Sequence, residues 1–257
     1  MEIKFFNNDK ERWKQEYEIR CKVAKLISIP SDSEVLDVLV GYADFSRVIV
    51  KTHNVKVTAI EIVDEDIKEA IRKIKKEKLQ DKIKIIKMDA TNMKFPDGTF
   101  DYVVNFIGWD DLIAFSGINA VEKVFSEMVR VLKKNGILLI TFTPELKPVN
   151  YIQKMDKELE EFMWGGTKKS LPEKFFLDLF KKYNIKLLKK KILKTEKRIN
   201  PKDGKGLIKW FCKDYPRWYP KIRFRSYNEI INKFGNFIDK YGIPPLIPHI
   251  EVLIGKK

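Results

Sequence analysis

Short, continuous apolar runs alternate with amphipathic segments over the first 142 residues of the chain. The runs are rich in Val, Ile and Leu, which is typical of strands buried on both faces of a parallel sheet. They are residues 34–40, 55–60, 82–88, 100–105 and 137–142. Apolar residues at helical spacing lie between them, over 44–52, 64–79 and 118–132, and we expect Gly136 to be the C-cap of the last helix. This alternation predicts a doubly wound α/β sheet, in which ligands bind beyond the carboxyl ends of the strands.

The second half of the chain continues the pattern with two more predicted strands, over 185–194 and 249–255. Two capping boxes, Ser170–Glu173 and Ser226–Glu229, each predict the start of a helix, because their side chains satisfy the first free N–H groups. An amphipathic helix over 9–27 precedes the first strand. We therefore expect an α/β fold with a doubly wound, seven-stranded, mostly parallel sheet and helices on both faces.

Composition places the 257-residue chain among globular proteins, since 44% of its residues are hydrophobic. No apolar run approaches the roughly 18 residues of a membrane-spanning helix, so we expect a cytoplasmic protein with no membrane partner. Cys21 and Cys212 lack the spacing of a zinc site or a disulfide framework, and we expect no metal. The 51 Lys and Arg exceed the 36 Asp and Glu, but enrichment in Lys, Glu and Ile is also typical of thermophilic proteins.

Three predicted strand ends carry side chains that suit one ligand. After the first strand, the segment 37–46 contains Gly41, where ligand atoms approach the backbone closely and the next helix offers free N–H groups. Glu61 follows the second strand and is an acceptor for two vicinal hydroxyls, such as those of a ribose. Asp89 and Ala90 follow the third strand and set a hydrogen-bond acceptor beside an apolar residue, which suits an adenine ring.

These segments resemble the class I S-adenosylmethionine-dependent methyltransferases, and in particular their ubiquinone-methyltransferase-like branch. The segment 37–46 is similar to the acidic, glycine-rich loop of the family. The segment 89–101 is similar to a family stretch that begins with Asp and contains a Pro followed by two further Asp residues. The segment 131–138 is similar to the residues that lead into strand five in the family. The resemblance covers roughly residues 30–143 and implies S-adenosylmethionine as the cofactor, bound at the strand ends. The implied cofactor-binding residues are Asp37, Gly41, Ala43, Glu61, Ile62, Asp89, Ala90 and Asn105.

The chain departs from the family in the glycine-rich loop, whose three glycine positions hold Leu39, Gly41 and Ala43. Leu39 brings a bulky side chain toward the methionine end of the implied site. The catalytic residues stay unknown, and we expect few of them, because the sulfonium is already an activated methyl donor and a base is needed only when the acceptor must lose a proton. Asp110 or Asp111 is a candidate base, and the equally favoured alternative is that they cap the next helix or face solvent.

We expect a single class I methyltransferase domain over residues 1–257. Its expected parts are an N-terminal helix (1–29), a cofactor-binding half (30–146), closing helices and strands (147–199 and 249–257) and an insertion (200–248). The insertion lies between the last two predicted strands, and we expect it to be basic and rich in aromatic residues.

Basic residues are concentrated around this insertion, because residues 186–225 hold fifteen Lys or Arg and only three Asp or Glu. Six aromatic residues are interleaved with them between Trp210 and Phe224. Basic groups attract phosphates and aromatic rings stack on bases, so RNA or an anionic small molecule is the expected acceptor. The alternative is a solvated lysine face over a small aromatic core.

Two hypotheses about function follow from the sequence. The first is an S-adenosylmethionine-dependent methyltransferase that acts on an unidentified anionic acceptor, either a small molecule or RNA. The second is a nucleic-acid-binding or regulatory protein on a methyltransferase scaffold that has lost turnover. Neither hypothesis predicts an oligomeric state.

Overall fold

The computed structural model describes most of the chain as two compact units. The described residues are 4–6, 9–143, 147–166, 171–194, 197–218, 222–245, 247 and 249–257. Unit 1 comprises Met1–Glu16, Glu145–Ser170 and Lys194–His249, and unit 2 comprises Tyr17–Pro144, Leu171–Leu193 and Ile250–Lys257. The assignment of a single domain stays a prediction.

Seven strands form one sheet in the order β3-β2-β1-β4-β5-β7-β6. The strands are β1 (Glu34–Val38), β2 (Lys56–Glu61), β3 (Ile83–Lys87), β4 (Phe100–Phe106), β5 (Leu132–Phe142), β6 (Lys186–Lys194) and β7 (His249–Lys256). β1 to β5 pair in parallel, and β7 runs antiparallel to β5. The predicted seven-stranded, mostly parallel sheet is confirmed.

Nine helices are seen in the described ranges. They are α1 (Asp9–Ala24), α2 (Asp44–His53), α3 (Asp64–Lys76), α4 (Trp109–Ser116), α5 (Ile118–Val131), α6 (Tyr151–Met163), α7 (Glu173–Lys182), α8 (Pro201–Trp218) and α9 (Tyr227–Tyr241). The apolar pattern of the sequence does not single out α4, α6 or α8. α4 is short, and α8 carries two glycines and, inside the helix, Pro216, all of which weaken a helical pattern.

The sheet of unit 2 is covered by helices on both faces, as expected. Leu36 and Leu138 point to the face where α5 and α7 pack, whereas their neighbours Val35 and Leu139 point to the face of α2 and α3. All four side chains are at most 1% exposed. Burial of each contributes about 1.5–3 kcal/mol, and burial on both faces explains why these strands are continuous apolar runs.

β5 begins directly after α5, so the expectation that Gly136 caps this helix is wrong. Leu132 follows the helix with an extended backbone (φ −75°, ψ 132°) and pairs with Phe100, so α5 ends at Val131. Gly136 lies in the irregular start of β5, where a β carbon would come within 2.6 Å of the Leu132 side chain. The glycine is therefore needed for packing within the strand.

The two predicted capping boxes have different outcomes. At α9 the Ser226 hydroxyl accepts a hydrogen bond from the Glu229 N–H at 3.3 Å, and the Glu229 carboxylate accepts one from the Ser226 N–H at 2.8 Å. This box is confirmed. At α7 the proposed cap, Ser170, lies outside the described residues, and the helix begins at Glu173 after Pro172.

Unit 1 is built from α6, α8 and α9, whose apolar residues pack in a separate core. Beside it, four aromatic rings contact one another with centroids between 4.1 and 6.0 Å apart. They are Trp164, Phe211, Tyr215 and Phe224. Three of the six interleaved aromatic residues, Phe211, Tyr215 and Phe224, therefore form a small core with Trp164, in agreement with the alternative. Trp210 is 41% exposed, and Tyr219 and the side chain of Trp218 lie outside the described residues. An RNA-binding basic insertion is not confirmed.

β6 lies at the edge of the sheet, and five of its nine residues are lysines. Lysines on an exposed edge strand oppose pairing with other chains, which gives part of the basic charge a structural explanation. Among the helices of the described ranges, none is long and apolar enough to cross a membrane. Location in the cytoplasm stays a prediction.

Candidate functional site

The predicted site residues follow neighbouring strands at one edge of the sheet, which we call the carboxyl rim: residues 37–46, 61–63, 88–91 and 105–109. β1 lies between β2 and β4, so the order of the strands reverses at β1. Parallel strands end at the same edge, and a reversal in strand order opens a crevice there. The rim is therefore where this fold positions a ligand.

The loop after β1 keeps a left-handed backbone at all three glycine positions of the family motif. The φ angles are 59° at Leu39, 49° at Gly41 and 55° at Ala43. For a residue with a β carbon this conformation costs roughly 1–2 kcal/mol. Leu39 and Ala43 thus adopt a conformation that glycine adopts at less cost, although neither is a glycine.

Glu61 joins the first two turns of the rim. Its Oε2 accepts a hydrogen bond from the Gly41 N–H at 2.9 Å, and its Oε1 accepts from the N–H groups of Ile62 and Val63 at 2.8 and 3.1 Å. The residue is only 7% exposed. A carboxylate has about four acceptor sites, so roughly one remains for a ligand hydroxyl.

Open space and apolar surface lie next to this carboxylate. A β carbon built at Gly41 would meet no atom within 4 Å, so the glycine leaves room beside the backbone. Ile62 is 51% exposed, and Ala90 is buried just beyond β3. Asp89 is exposed and uses one oxygen to accept from the Thr91 N–H and hydroxyl, both at 2.8 Å. These features suit a flat, partly polar ring.

Asp37 is buried at the end of β1, with 1% exposure. Burial raises the pKa of Asp37 to about 7, although the hydrogen bond from the Ser46 hydroxyl at 2.6 Å acts to lower it. Asp37 also lines a cavity of about 170 Å³. The other lining residues are Arg20, Leu39, Val40, Tyr42, Asp44, Phe45 and Phe106. This volume is below the ~300 Å³ of small ligand pockets, so the cavity alone is too small for a ligand of that size.

The carboxyl rim is acidic although the chain carries a net charge of +15. The pKa of Asp66 is raised to about 6, first by burial and then by the nearby carboxylates of Glu61, Asp111 and Glu65. A group of neighbouring carboxylates favours a cationic ligand group. A sulfonium with an amino group has this charge.

Asn105 is fully buried at the end of β4 and connects two strands. Its amide donates to the carbonyl of Val38 at 2.9 Å and to that of Ile107 at 2.7 Å. Its Oδ1 is buried without a hydrogen-bond partner among the described residues. An unpaired buried acceptor is costly, so this atom marks a place where a ligand donor would be stabilising.

Asp110 and Asp111 lie in the first turn of α4, where carboxylates interact favourably with the helix dipole. The N-cap of α4 is Gly108, so neither aspartate is the cap residue, whereas Asp111 is exposed as in the alternative. The role of a base stays a prediction.

Sequence reasoning missed two residues at this edge, Arg20 and Thr141. The guanidinium carbon of Arg20 lies 4.9 Å from the centre of the Phe106 ring. The hydroxyl oxygen of Thr141 accepts a hydrogen bond from the Ile107 N–H at 2.9 Å. Neither has a motif that would have indicated it.

Comparison with known proteins agrees with this geometry. Residues 36–140 match the family described as "Methyltransferase domain" (Methyltransf_11). The chain is 36% identical over 115 residues to sterol 24-C-methyltransferase ERG6B of Gibberella zeae. These aligned residues make up 45% of this chain and 29% of the relative. It is 31% identical over 123 residues to demethylmenaquinone methyltransferase of Bacteroides fragilis, covering 45% and 46%. The chain thus spans less than half the length of these relatives.

The fold is shared with solved structures as well. The [4+2]-cyclase SpnF superimposes with a TM-score of 0.69 at 15% identity, covering 99% of this chain and 85% of that one. Residues 36–140 thus match a methyltransferase domain, and the sheet has the fold of the class I S-adenosylmethionine-dependent methyltransferases. The similarity to the demethylmenaquinone enzyme agrees loosely with the ubiquinone-methyltransferase-like branch.

Proposed function

We propose that this protein binds S-adenosylmethionine at the carboxyl rim and transfers its methyl group to an acceptor. The observation that carries the proposal is the hydrogen bond from the Gly41 N–H to Glu61, since it joins two turns that the sequence separates by 20 residues. Open space at Gly41, the exposed Ile62 and the neighbouring carboxylates of the rim support it further.

Each part of the cofactor has a proposed partner in this chain. Glu61 would accept from a ribose hydroxyl, and Ile62 and Ala90 would contact the adenine while Asp89 accepts from its amine. Asp37 lines the cavity proposed for the charged amino-acid end. The backbone of Gly41 and Ala43 and the amide oxygen of Asn105 complete the proposed set of cofactor-binding residues, whose list is Asp37, Gly41, Ala43, Glu61, Ile62, Asp89, Ala90 and Asn105.

The bound cofactor supplies a methyl group that is already activated by the positive sulfonium. The protein then has to hold the donor, exclude water and align an acceptor atom, which requires few side chains. Asp110 and Asp111 remain proposals for a base. We assign no residue as catalytic.

Binding of the demethylated product tests the proposal without an acceptor. Isothermal titration of the protein with S-adenosylhomocysteine should give one site, and S-adenosylmethionine should bind with comparable affinity. Absence of binding by both molecules would remove the enzymatic proposal. Incubation with methyl-labelled cofactor and fractionated cell extract should then reveal which fraction accepts the label.

For the acceptor we propose an anionic small molecule and no longer RNA. The net charge of +15 supports an anionic acceptor. Against RNA, the rings of Trp164, Phe211, Tyr215 and Phe224 pack on one another and are not free to stack on bases. Label recovered in the small-molecule fraction would support this proposal, and label in tRNA would overturn it.

A second candidate is a protein on this scaffold that does not transfer methyl groups. Leu39 and Ala43 in place of two loop glycines favour it, and the cyclase SpnF shows that this fold is not restricted to proteins named methyltransferases. The same titration separates the candidates: tight product binding without any labelled acceptor would favour the second candidate, whereas labelling would exclude it.

A further inference from the structure

A turn at the end of β4 is held by hydrogen bonds from two buried side chains. Ile107 has a φ of 63°, a conformation that residues branched at the β carbon rarely adopt. Its N–H donates to the Thr141 hydroxyl at 2.9 Å, and its carbonyl accepts from the Asn105 amide at 2.7 Å. Thr141 and Asn105 are both 0% exposed. Both backbone polar groups of Ile107 are thus fixed by the core.

This turn contacts the glycine-rich loop at the position where the loop departs from its family. Gly108 follows Ile107 with a φ of 93°, and a β carbon built on it would lie 3.3 Å from the β carbon of Leu39. Leu39 itself has a φ of 59°. The Asn105 amide also donates to the carbonyl of Val38, the residue before Leu39.

We propose that Thr141 and Asn105 are positioning residues for the cofactor loop: they fix the turn at Ile107 and Gly108, which holds Leu39 in a left-handed conformation that glycine adopts more readily than leucine. The proposal rests on the proposed function, because it assigns the loop the role of binding the cofactor. The network thereby compensates for the absence of the first loop glycine.

The physical reason lies in the preference of each residue type. Glycine adopts a left-handed backbone at no steric cost, so a loop with glycine at position 39 needs no external support. Leucine at this position favours an extended backbone. Relaxation of Leu39 would move Gly41, two residues further on, away from its hydrogen bond to Glu61. Cofactor affinity should therefore depend on Thr141 only while residue 39 is a leucine.

The dependence is measured with four variants titrated with S-adenosylhomocysteine. Thr141→Val keeps the shape and removes the hydroxyl, and it should weaken binding about 10-fold, the effect of one lost hydrogen bond. Thr141→Ser restores the hydroxyl and should bind within about 2-fold of the unchanged protein. In the Leu39→Gly background, Thr141→Val should change the affinity by less than about 2-fold.

Ile140→Val is the matched control, because it removes one methyl group from the neighbouring, fully buried residue of the same strand. It should lower the melting temperature as much as Thr141→Val without changing affinity. Equal losses from Thr141→Val in the unchanged protein and in the Leu39→Gly background would overturn the proposal, since they would indicate a general structural role. If Leu39→Gly does not fold, as judged by circular dichroism, the remaining variants test the proposal. It then requires that Thr141→Val binds S-adenosylhomocysteine more weakly than both Thr141→Ser and Ile140→Val do. No binding by the unchanged protein would refute the proposed function instead.

Discussion

Two regions stand out in the sequence: the carboxyl rim of unit 2 and the basic, aromatic stretch of unit 1, residues 194–225. They differ in what their side chains contact. At the rim, Glu61 and Asp89 keep acceptor capacity beside open space at Gly41. In the basic stretch, Phe211 is buried against other aromatic rings, and Arg198 forms an ion pair with Asp156 at 2.6 Å.

The difference teaches that position in the topology is better evidence for a site than composition. Strand ends at a reversal of strand order must meet, whatever residues occupy them. A cluster of aromatic and basic residues has no such constraint, because the aromatic rings lower the free energy equally well by packing on one another. Four predictions test this contrast, in order of decreasing effect.

Truncation of the aromatic core in unit 1 should have the largest effect. Phe211 is 7% exposed, so Phe211→Ala should lower the free energy of unfolding by about 3–5 kcal/mol. The neighbouring Trp210 is 41% exposed, and Trp210→Ala should cost clearly less. Urea denaturation followed by fluorescence measures both. A Phe211→Ala variant as stable as the unchanged protein would mean that the ring is held ready for a ligand.

The buried carboxyl group of Asp37 should make stability depend on pH. The folded protein keeps the Asp37 proton up to pH about 7, whereas the unfolded chain loses it near pH 4. Between these values the folded state binds more protons, so its stability falls as the pH rises and then becomes constant. Asp37→Asn should remove a decrease of about 3–4 kcal/mol between pH 4 and pH 8. Parallel stability curves for both proteins would contradict the assignment.

Removal of the Glu61 charge should affect the cofactor more than the fold. Glu61→Gln keeps the size of the side chain but accepts fewer hydrogen bonds from the Gly41, Ile62 and Val63 N–H groups. We expect affinity for S-adenosylhomocysteine to fall about 30–100-fold, or roughly 2–3 kcal/mol. Glu65→Gln, an exposed neighbour in α3, is the control and should change affinity less than about 2-fold. Similar affinities for both variants would exclude Glu61 from the site.

Neutralisation of exposed arginines in unit 1 should have the smallest effect. The Arg217 side chain is 68% exposed and lies 3.6 Å from Asp214, a weak surface ion pair. Arg217→Gln combined with Arg223→Gln should change the free energy of unfolding by less than about 0.5 kcal/mol and leave cofactor affinity unchanged. Filter binding with bulk tRNA provides the complementary test. Salt-sensitive binding of tRNA that disappears in this double variant would restore the RNA hypothesis.

The fold was predictable from the sequence because burial on both faces leaves a strong pattern. Residues such as Leu36 and Val35 must both be apolar when helices cover both sides of the sheet. The end of α5 was not predictable in the same way. Gly136 is a typical cap residue, but the strand already begins at Leu132, four residues before this glycine, because Leu132 pairs with Phe100. That pairing depends on a distant part of the chain.

By itself the sequence determined the alternation of strands and helices, the polar residues at the strand ends and the absence of two loop glycines, since these depend on residue type and local periodicity. Only the tertiary structure decided that the loop keeps its left-handed path at Leu39 and Ala43, that Thr141 and Asn105 fix the adjoining turn, and that the aromatic residues of unit 1 form a core. These outcomes depend on contacts between residues far apart in the chain. Local propensity favours an extended backbone for Leu39, and it allows the aromatic rings either to pack on one another or to face a ligand. The contacts made on folding therefore determine which conformation each of these residues adopts.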